Sequence, residues 1–197
     1  MDTRLKSIEF LEKEHEYWFV DSEGRHRQLH GVTGAIGLLM KKKFPDTDTV
    51  KLATIYGSDV HKEIENYYNK GGGTISTEGA KWVVEELERF KATCLLDPVK
   101  TIECEKMVSD FEGTASKVDV VAWHESGRAT LFDIKTTATF HREYCSLQLS
   151  VYKRLFEANY ETDVLGMFVL GTKAKRSFHI LQQDDYKVRK ILQMNKA

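Results

Sequence analysis

The spacing of apolar residues divides the chain into segments of helical and of strand character. Val60, Ile64 and Tyr67 follow one another at steps of four and three, which is the spacing of one face of an α-helix. Spacing of this kind predicts helices over about 48–70, 77–93, 143–160 and 185–194. Short apolar runs bounded by turn residues instead predict strands at about 101–108, 115–123, 129–136, 164–171 and 177–181.

The N-terminal region carries the pattern of a β-hairpin followed by a short helix. Tyr17–Val20 is rich in residues that favour strands, Asp21–Gly24 has the composition of a turn, and Arg25–Val32 runs back. Thr33 is expected to cap a helix over Gly34–Met40, because its hydroxyl can accept a hydrogen bond from the first helical turn.

The order of these elements predicts an α/β fold, in which a mixed β-sheet is flanked by α-helices. The helix over 143–160 is long enough to connect two parallel strands. A chain of 197 residues, of which 41% are hydrophobic, can bury one substantial core. We therefore expect a single domain over 1–197, with a hairpin and short helix in 1–46, a core in 47–183 and a C-terminal helix in 184–197.

The composition argues against several classes of protein. Cys94, Cys104 and Cys145 are far apart and odd in number, so we expect free thiols in a cytoplasmic protein, not disulfides or a zinc site. The first residues lack the apolar segment of a secretory signal, and no run reaches the roughly 18 apolar residues that span a bilayer. We expect no membrane partner.

The net charge of −1 gives no overall basic signature for nucleic acid. The densest basic run is Lys41, Lys42 and Lys43. Such a run can be a solvated helix end or a contact to backbone phosphates, and the sequence leaves both interpretations open.

Three charged residues stand in two neighbouring apolar runs. Side chains alternate between the faces of a strand, so Asp133 and Lys135 point the same way. Asp119 lies near them if the two strands pair through the turn at 124–128. Because buried charges are costly unless compensated, this arrangement suggests a divalent cation and suits phosphodiester hydrolysis. The plainer interpretation is a Lys–Asp ion pair on an exposed edge strand.

Other polar residues recur at spacings that place them on one helical face. His61 and Glu65 are four residues apart and could both approach a metal, or could belong to a solvated face. Gln148 and Tyr152 have the same spacing, either as a partly buried polar seam or as groups that position Lys135. Glu105 is a further candidate ligand, or a surface strand residue.

Five motifs in this order resemble the PD-(D/E)xK nuclease superfamily, and in particular its RecB-type exonucleases, which include phage enzymes and the mitochondrial genome-maintenance exonuclease. The motifs are Gly57-Ser-Asp-Val-His61, Glu105, Asp119, Asp133-Ile-Lys135-Thr-Thr and Gln148-Leu-Ser-Val-Tyr152. The lead-in, His15-x-Tyr17 followed by Gly31-Val-Thr33, is similar to the segment that opens many members. The resemblance covers about 15–172 and implies a restriction-endonuclease-like core.

The resemblance also implies roles for individual residues. Asp119, Asp133, the Ile134 carbonyl and His61 would bind Mg²⁺ or Mn²⁺, and Lys135 would be the catalytic lysine. Gln148 and Tyr152 match the motif that follows the lysine in this family, and Glu105 and Glu65 are additional metal candidates. The expected DNA contacts are Thr33, Lys41, Lys42, Lys43, Ser58, Thr136, Thr137 and Arg142.

The implied activity is a metal-dependent DNA exonuclease that acts on ends or single strands, in recombination, repair or replication of phage or mobile-element DNA. A single-strand annealing or binding protein is the protein partner that fits such a role. Ser116 departs from the family, which usually has glycine there, and the four cysteines of an iron–sulfur cluster are absent. A structure-specific or site-specific endonuclease and a non-catalytic nucleic-acid-binding module are the alternatives.

Overall fold

The computed structural model describes residues 1–40 and 48–196, which form two β-sheets and five α-helices. The strands are β1 (Ile8–Leu11), β2 (Glu16–Val20), β3 (His26–Leu29), β4 (Val99–Ser109), β5 (Ala115–His124), β6 (Ala129–Lys135), β7 (Val164–Gly171) and β8 (Arg176–His179). The helices are α1 (Val32–Leu39), α2 (Asp48–Asn69), α3 (Glu78–Thr93), α4 (Arg142–Tyr160) and α5 (Asp185–Met194).

The larger sheet has the order β4-β5-β6-β7-β8. Its neighbours are antiparallel except β6 and β7, which are parallel and are connected by α4. This is the crossover that the helical segment 143–160 predicts, so the expected mixed sheet flanked by helices is confirmed.

Helices cover both faces of this sheet, and each face has its own apolar core. Phe132 and Ile134 pack with residues of α2 and α3. Leu131 packs with residues of α1, α4 and α5 on the opposite face. Alternation along β6 therefore turns Asp133, between Phe132 and Ile134, towards the α4 layer.

The N-terminal hairpin proves to be part of a three-stranded antiparallel sheet with the order β1-β2-β3. The sequence prediction omitted β1, which has only four residues and pairs Ile8 with Phe19 and Phe10 with Tyr17. An isolated run of four residues gives too weak an alternation to predict a strand. The strand is stabilised by its pairing with β2, which the local pattern does not contain.

The predicted cap of the first helix is wrong by two residues. Helix α1 begins at Val32, with Gly31 at the capping position and no side-chain capping bond, so Thr33 lies inside the first turn. Val32 is fully buried, and its burial favours an earlier start of the helix than the capping preference of threonine does. The Thr33 carbonyl instead accepts a hydrogen bond from the Tyr144 hydroxyl at 3.1 Å.

The small sheet is attached to the large one beside the start of β5. His30 forms a bridge with Thr114, with backbone hydrogen bonds from His30 to Gly113 and from Ala115 to His30. An apolar cluster that includes Leu29 and Phe111 fills the junction. The small sheet therefore stands over the β5 residues that follow, Ser116 to Asp119.

The composition led to two further expectations, one about the cysteines and one about membrane-spanning helices. All three cysteines are free. Among the helices of residues 1–40 and 48–196, none combines the length and the apolar character that crossing a bilayer requires.

Candidate functional site

The site begins where β5 and β6 separate. Their ladder ends at the pair Val120–Phe132, and the next residues in register are Asp119 and Asp133. Asp119 Oδ2 accepts a hydrogen bond from the Ile134 backbone amide at 2.7 Å. The side chain of Asp119 thus replaces the missing ladder partner, which fixes its carboxylate beside the second aspartate.

Helix α2 and strand β4 bring two more polar side chains to Asp119. His61 Nδ1 lies 3.8 Å from Asp119 Oδ1 and 3.8 Å from Glu105 Oε1. Ligand atoms of His61, Glu105 and Asp119 all lie within 4.8 Å of one another. Within residues 1–40 and 48–196, no other group of three His, Cys, Asp or Glu residues converges in this way.

A glycine allows α2 to approach the sheet closely enough for this contact. A Cβ atom on Gly57 would lie 2.9 Å from Thr136 Oγ1, closer than real Cβ atoms are normally found to a neighbour. His61 follows Gly57 by four residues and so lies on the same side of the helix. The contact between Gly57 and Thr136 therefore sets how far His61 reaches towards Asp119.

Glu105 is directed into the site by an irregularity of β4. Its φ of 56° lies in the left-handed region, and the pairing of β4 with β5 includes Cys104–Val120 and Lys106–Val118 but not Glu105. The Asn69 side chain both donates to the Cys104 carbonyl at 3.0 Å and accepts from the Cys104 amide at 2.9 Å. This two-point contact ties the end of α2 to the residue before the strained position.

Asp133 and Lys135 form a nearly buried ion pair beside the three-residue group. Lys135 Nζ lies 2.8 Å from Asp133 Oδ2 and donates to Asp133 Oδ1 at 3.0 Å. The Asp133 side chain is only 1% exposed, and its Oδ2 accepts no hydrogen bond from the described residues. Asp133 Oδ2 therefore faces the Lys135 ammonium group without an aligned hydrogen bond, which leaves it able to bind a second cation. We refer to His61, Glu105, Asp119, Asp133 and Lys135 as the carboxylate cluster.

A chain of hydrogen bonds continues from Lys135 away from the carboxylates. Lys135 Nζ donates to Gln148 Oε1 at 3.1 Å, and Gln148 Nε2 donates to the Tyr152 hydroxyl at 2.9 Å. The Tyr152 hydroxyl lies 3.3 Å from the hydroxyl of Ser116. Gln148 and Tyr152 therefore position the lysine and each other, as the four-residue spacing on α4 allows, and Ser116 extends the chain to β5.

The electrostatics of the carboxylate cluster reflect its excess of negative charge. Burial raises the pKa of Asp133 to about 6, although the nearby Lys135 acts in the opposite direction. Burial also raises the pKa of Asp119. For His61, burial lowers the pKa, but Asp119 and Glu105 outweigh it and raise the pKa to about 9. Asp119 and Asp133 hold protons more tightly than usual because burial penalises their charged forms, and a bound cation would stabilise those charged forms.

His61, Glu105 and Asp119 line a cavity of about 670 Å³ between α2 and the small sheet, whereas Asp133 and Lys135 lie beside these residues and are not among the lining residues. Its floor includes Asp119, and Thr33 and Ser58 are among its lining residues. Phe10 and Lys117 also line it, although sequence reasoning did not assign them to the site. Lys117 could have been found, because it lies two residues before Asp119 on the same strand face, whereas Phe10 belongs to the strand that the pattern missed.

The remaining residues that the sequence predicted for the site lie outside the convergent group of His61, Glu105 and Asp119. Glu65 lines the cavity but forms an ion pair with Lys62 at 3.1 Å and is not part of the convergent group of His61, Glu105 and Asp119. Thr137 Oγ1 donates to the Thr139 carbonyl at 2.8 Å, and Arg142 is exposed at the start of α4. Lys41, Lys42 and Lys43 lie outside the described residues.

Comparison with known proteins adds no assignment to this geometry. No protein-family model matches the chain, and no curated protein sequence matches it significantly. The functional argument therefore depends on the residues and their arrangement.

Proposed function

We propose that this protein is a metal-dependent nuclease that hydrolyses phosphodiester bonds of DNA. The observation that carries the proposal is the convergence of His61, Glu105 and Asp119 within 4.8 Å, directly beside the buried pair of Asp133 and Lys135. Carboxylates and an imidazole at one cavity, with the Lys135 ammonium group bound to Asp133 directly beside them, supply both the ligands for a metal and a cation for a phosphate.

The residues present fit Mg²⁺ or Mn²⁺. These ions prefer oxygen ligands, which Glu105, Asp119 and Asp133 provide, and manganese also accepts the imidazole of His61. Among the described residues, Asp133 Oδ2 accepts no hydrogen bond, although Lys135 Nζ lies 2.8 Å away, so this oxygen keeps a lone pair with which it would bind a metal. A bound divalent cation supplies Lewis-acid charge, which polarises a phosphate oxygen and makes water a better nucleophile at neutral pH.

Lys135 has the geometry of a group that acts on the reacting phosphate. Burial lowers its pKa, but Asp133 and Asp119 outweigh this effect and raise it, so the amine stays protonated at neutral pH. Gln148 holds the ammonium group from the other side at 3.1 Å. In this position Lys135 donates to the attacking water or to a phosphate oxygen and offsets the negative charge that develops in the transition state.

The resemblance to the PD-(D/E)xK superfamily supports a restriction-endonuclease-like assignment of the large sheet. In this interpretation β5 and β6 carry the two aspartates and the lysine, and α4 carries the glutamine and tyrosine. The same resemblance favours DNA over RNA and an exonuclease of the RecB type.

The depth of the site is a second argument for an exonuclease. Asp119 is 15% exposed and Asp133 1% exposed, and the small sheet forms a wall beside them. A phosphate at a free end or in an unpaired strand reaches such a floor more easily than one within a continuous duplex, in which both strands must be accommodated.

A cleavage assay tests the proposal. End-labelled single-stranded, linear duplex and covalently closed circular DNA are incubated with Mg²⁺, Mn²⁺ or EDTA. We expect metal-dependent loss of linear or single-stranded DNA, sparing of circles, and no cleavage by Lys135→Ala. Lys153→Ala is a matched control, because Lys153 is 22% exposed where Lys135 is 23% exposed and it also forms an ion pair, with Glu157.

The other outcomes of this assay identify the alternatives. A discrete product from circular DNA would indicate an endonuclease of the same superfamily. Binding of DNA without cleavage by folded, metal-loaded protein would indicate a non-catalytic binding module and overturn the proposal.

A further inference from the structure

Three aromatic rings of the small sheet line the same cavity as His61, Glu105 and Asp119. The rings of Phe10 and His15 are 5.3 Å apart and nearly perpendicular, and those of Phe10 and Tyr17 are 4.7 Å apart. We call Phe10, His15 and Tyr17 the aromatic wall. Its outer member, His15, is exposed, whereas Tyr17 is buried beneath it.

His15 is held towards the cavity by an unusual backbone conformation. Its φ of 57° lies in the left-handed region, which costs free energy for a residue with a side chain. It ends the turn that joins β1 to β2, and its ring packs edge-on against Phe10 and at 6.4 Å from Tyr17. The His15 ring is thus supported by Phe10 and Tyr17 and presents an open face, and it does not fill a core.

Lys117 connects the aromatic wall to the carboxylate cluster. Its Nζ lies 4.2 Å from the centre of the Phe10 ring and 3.8 Å from Glu105 Oε2. A side-chain ammonium group therefore stands between a set of aromatic rings and a group of candidate metal ligands. A nucleotide combines the complementary features, since it has a flat base joined through a sugar to an anionic phosphate.

We propose that the aromatic wall is a nucleobase subsite. An unpaired base next to the scissile phosphate stacks on His15, with Phe10 and Tyr17 behind it, and Lys117 contacts the adjoining phosphate. This inference rests on the proposed function, because it takes the occupant of the cavity to be nucleic acid. Stacking on an aromatic side chain tolerates any base but requires that the base be unpaired and accessible.

Binding of two oligomers that differ only in their bases tests this subsite. One is a fluorescently labelled 12-residue oligothymidine, and the other is a 12-residue chain of abasic sites with the same phosphates. Anisotropy is measured with Ca²⁺ in place of Mg²⁺, so that both oligomers stay intact. We expect His15→Ala to weaken binding of oligothymidine about tenfold, to leave binding of the abasic chain unchanged, and His15→Phe to restore the affinity.

The control is His26→Ala, because His26 is an exposed histidine of the same sheet that does not line the cavity. We expect it to bind both oligomers as wild type does. Equal weakening of both oligomers by His15→Ala, or no weakening of either, would overturn the subsite. Failure of wild type to bind oligothymidine would overturn it as well.

These results are separable from those of the cleavage assay. Cleavage by wild type together with binding of oligothymidine that does not depend on His15 would overturn the subsite and leave the nuclease proposal in place. Binding that depends on His15, together with absence of cleavage, would support the subsite and overturn the nuclease proposal.

Discussion

Two clusters of polar side chains in this protein differ in how completely their polar atoms are paired. One is the carboxylate cluster. The other, which we call the asparagine cluster, contains Ser109, Thr114, Asn159 and Asn195. Asn159 accepts from the Ser109 amide at 2.8 Å and donates to the Ser109 carbonyl at 3.0 Å. Asn195 donates to Thr114 Oγ1 at 3.1 Å.

The asparagine cluster contains only neutral groups, and these bonds pair donors with acceptors. Buried polar groups in this state hold a fold together, because nothing is left for a ligand to satisfy. The carboxylate cluster instead gathers Glu105, Asp119 and Asp133, and Asp133 Oδ2 accepts no hydrogen bond within the described part of the chain although Lys135 Nζ lies 2.8 Å away. We therefore expect the asparagine cluster to contribute to stability and, on the proposed function, the carboxylate cluster to bind a metal ion.

The largest expected effect is the loss of nuclease activity in Asp119→Asn. The amide oxygen can still accept from the Ile134 amide, but one negative charge leaves the cluster, so the metal loses a ligand. We expect cleavage to fall by about 1000-fold or more. The free energy of unfolding without metal should stay the same or rise, because repulsion among the carboxylates decreases.

Cleavage of end-labelled DNA and urea unfolding measure the two effects, and calorimetric titration with Mn²⁺ should show weaker binding by the variant. Asp97→Asn is a control, because Asp97 binds Ser126 and Arg128 away from the cavity. A folded Asp119→Asn protein that cleaves as well as wild type would contradict the assignment of the cluster.

The opposite pattern is expected when the asparagine cluster is broken by Asn159→Ala. The Ser109 amide and carbonyl lose their partners in a buried position, and a small cavity remains. We expect the free energy of unfolding to fall by about 3 kcal/mol, while the rate of cleavage per folded molecule stays within about twofold of wild type, since the variant leaves the carboxylate cluster intact.

Urea unfolding compared with the exposed substitution Gln182→Ala measures the stability change. Activity must be normalised to the folded fraction. A stable Asn159→Ala protein with strongly reduced cleavage would show that the two clusters are coupled and that the comparison is too simple.

A smaller effect is expected for the hydrogen-bond chain that supports Lys135. Tyr152→Phe removes the hydroxyl that accepts from Gln148 and meets Ser116. We expect kcat to fall about tenfold with KM nearly unchanged, because Gln148 is less well held while no contact to the substrate is lost. Ser116→Ala should give a weaker effect in the same direction, since Gln148 keeps its bond to Tyr152.

Steady-state kinetics on single-stranded DNA separate kcat from KM for both variants. Tyr186→Phe is the control, because Tyr186 is an exposed tyrosine at the start of α5. A rise in KM alone would mean that Tyr152 contacts the substrate and does not position the lysine.

The sequence predicted the parts of the fold and site that depend on local spacing. The helices and the central strands follow from apolar periodicity, and the two aspartates meet because a short turn joins β5 to β6. The shared face of Gln148 and Tyr152 follows from their separation by four residues. Each of these inferences needs only residues that are near one another in the chain.

Features that depend on distant parts of the chain could not be predicted. The approach of His61 to Asp119 depends on the packing of Gly57 against Thr136, 79 positions later in the sequence. The orientation of Glu105 depends on its left-handed backbone conformation, beside which Asn69 of α2 binds the backbone of Cys104. The contribution of Phe10 to the cavity depends on the pairing of β1, whose four residues give no clear pattern. No local rule contains these contacts.

The smallest expected effect concerns Glu63, a carboxylate that contrasts with those of the carboxylate cluster. It accepts hydrogen bonds from the amides of Ser76 and Thr77 at 3.2 and 3.0 Å and from both hydroxyls, and so joins α2 to the start of α3. Burial raises the pKa of Glu63, but these hydrogen bonds outweigh burial and lower it. Its ionised form therefore stabilises the fold.

The sign of the pH dependence follows from this lowered pKa. The contribution of Glu63 is complete above the pKa of an unfolded glutamate, near 4.5, and is lost as the pH falls through the lower value of the folded state. Glu63→Gln should reduce the free energy of unfolding by about 1 kcal/mol at pH 7 and by less at pH 3. Urea unfolding at both pH values measures the difference, and Glu85→Gln, an exposed substitution on α3, is the control. If Glu63→Gln reduced the free energy of unfolding equally at both pH values, the charge of Glu63 would not stabilise the fold. The contrast with Asp119 and Asp133 would then be lost.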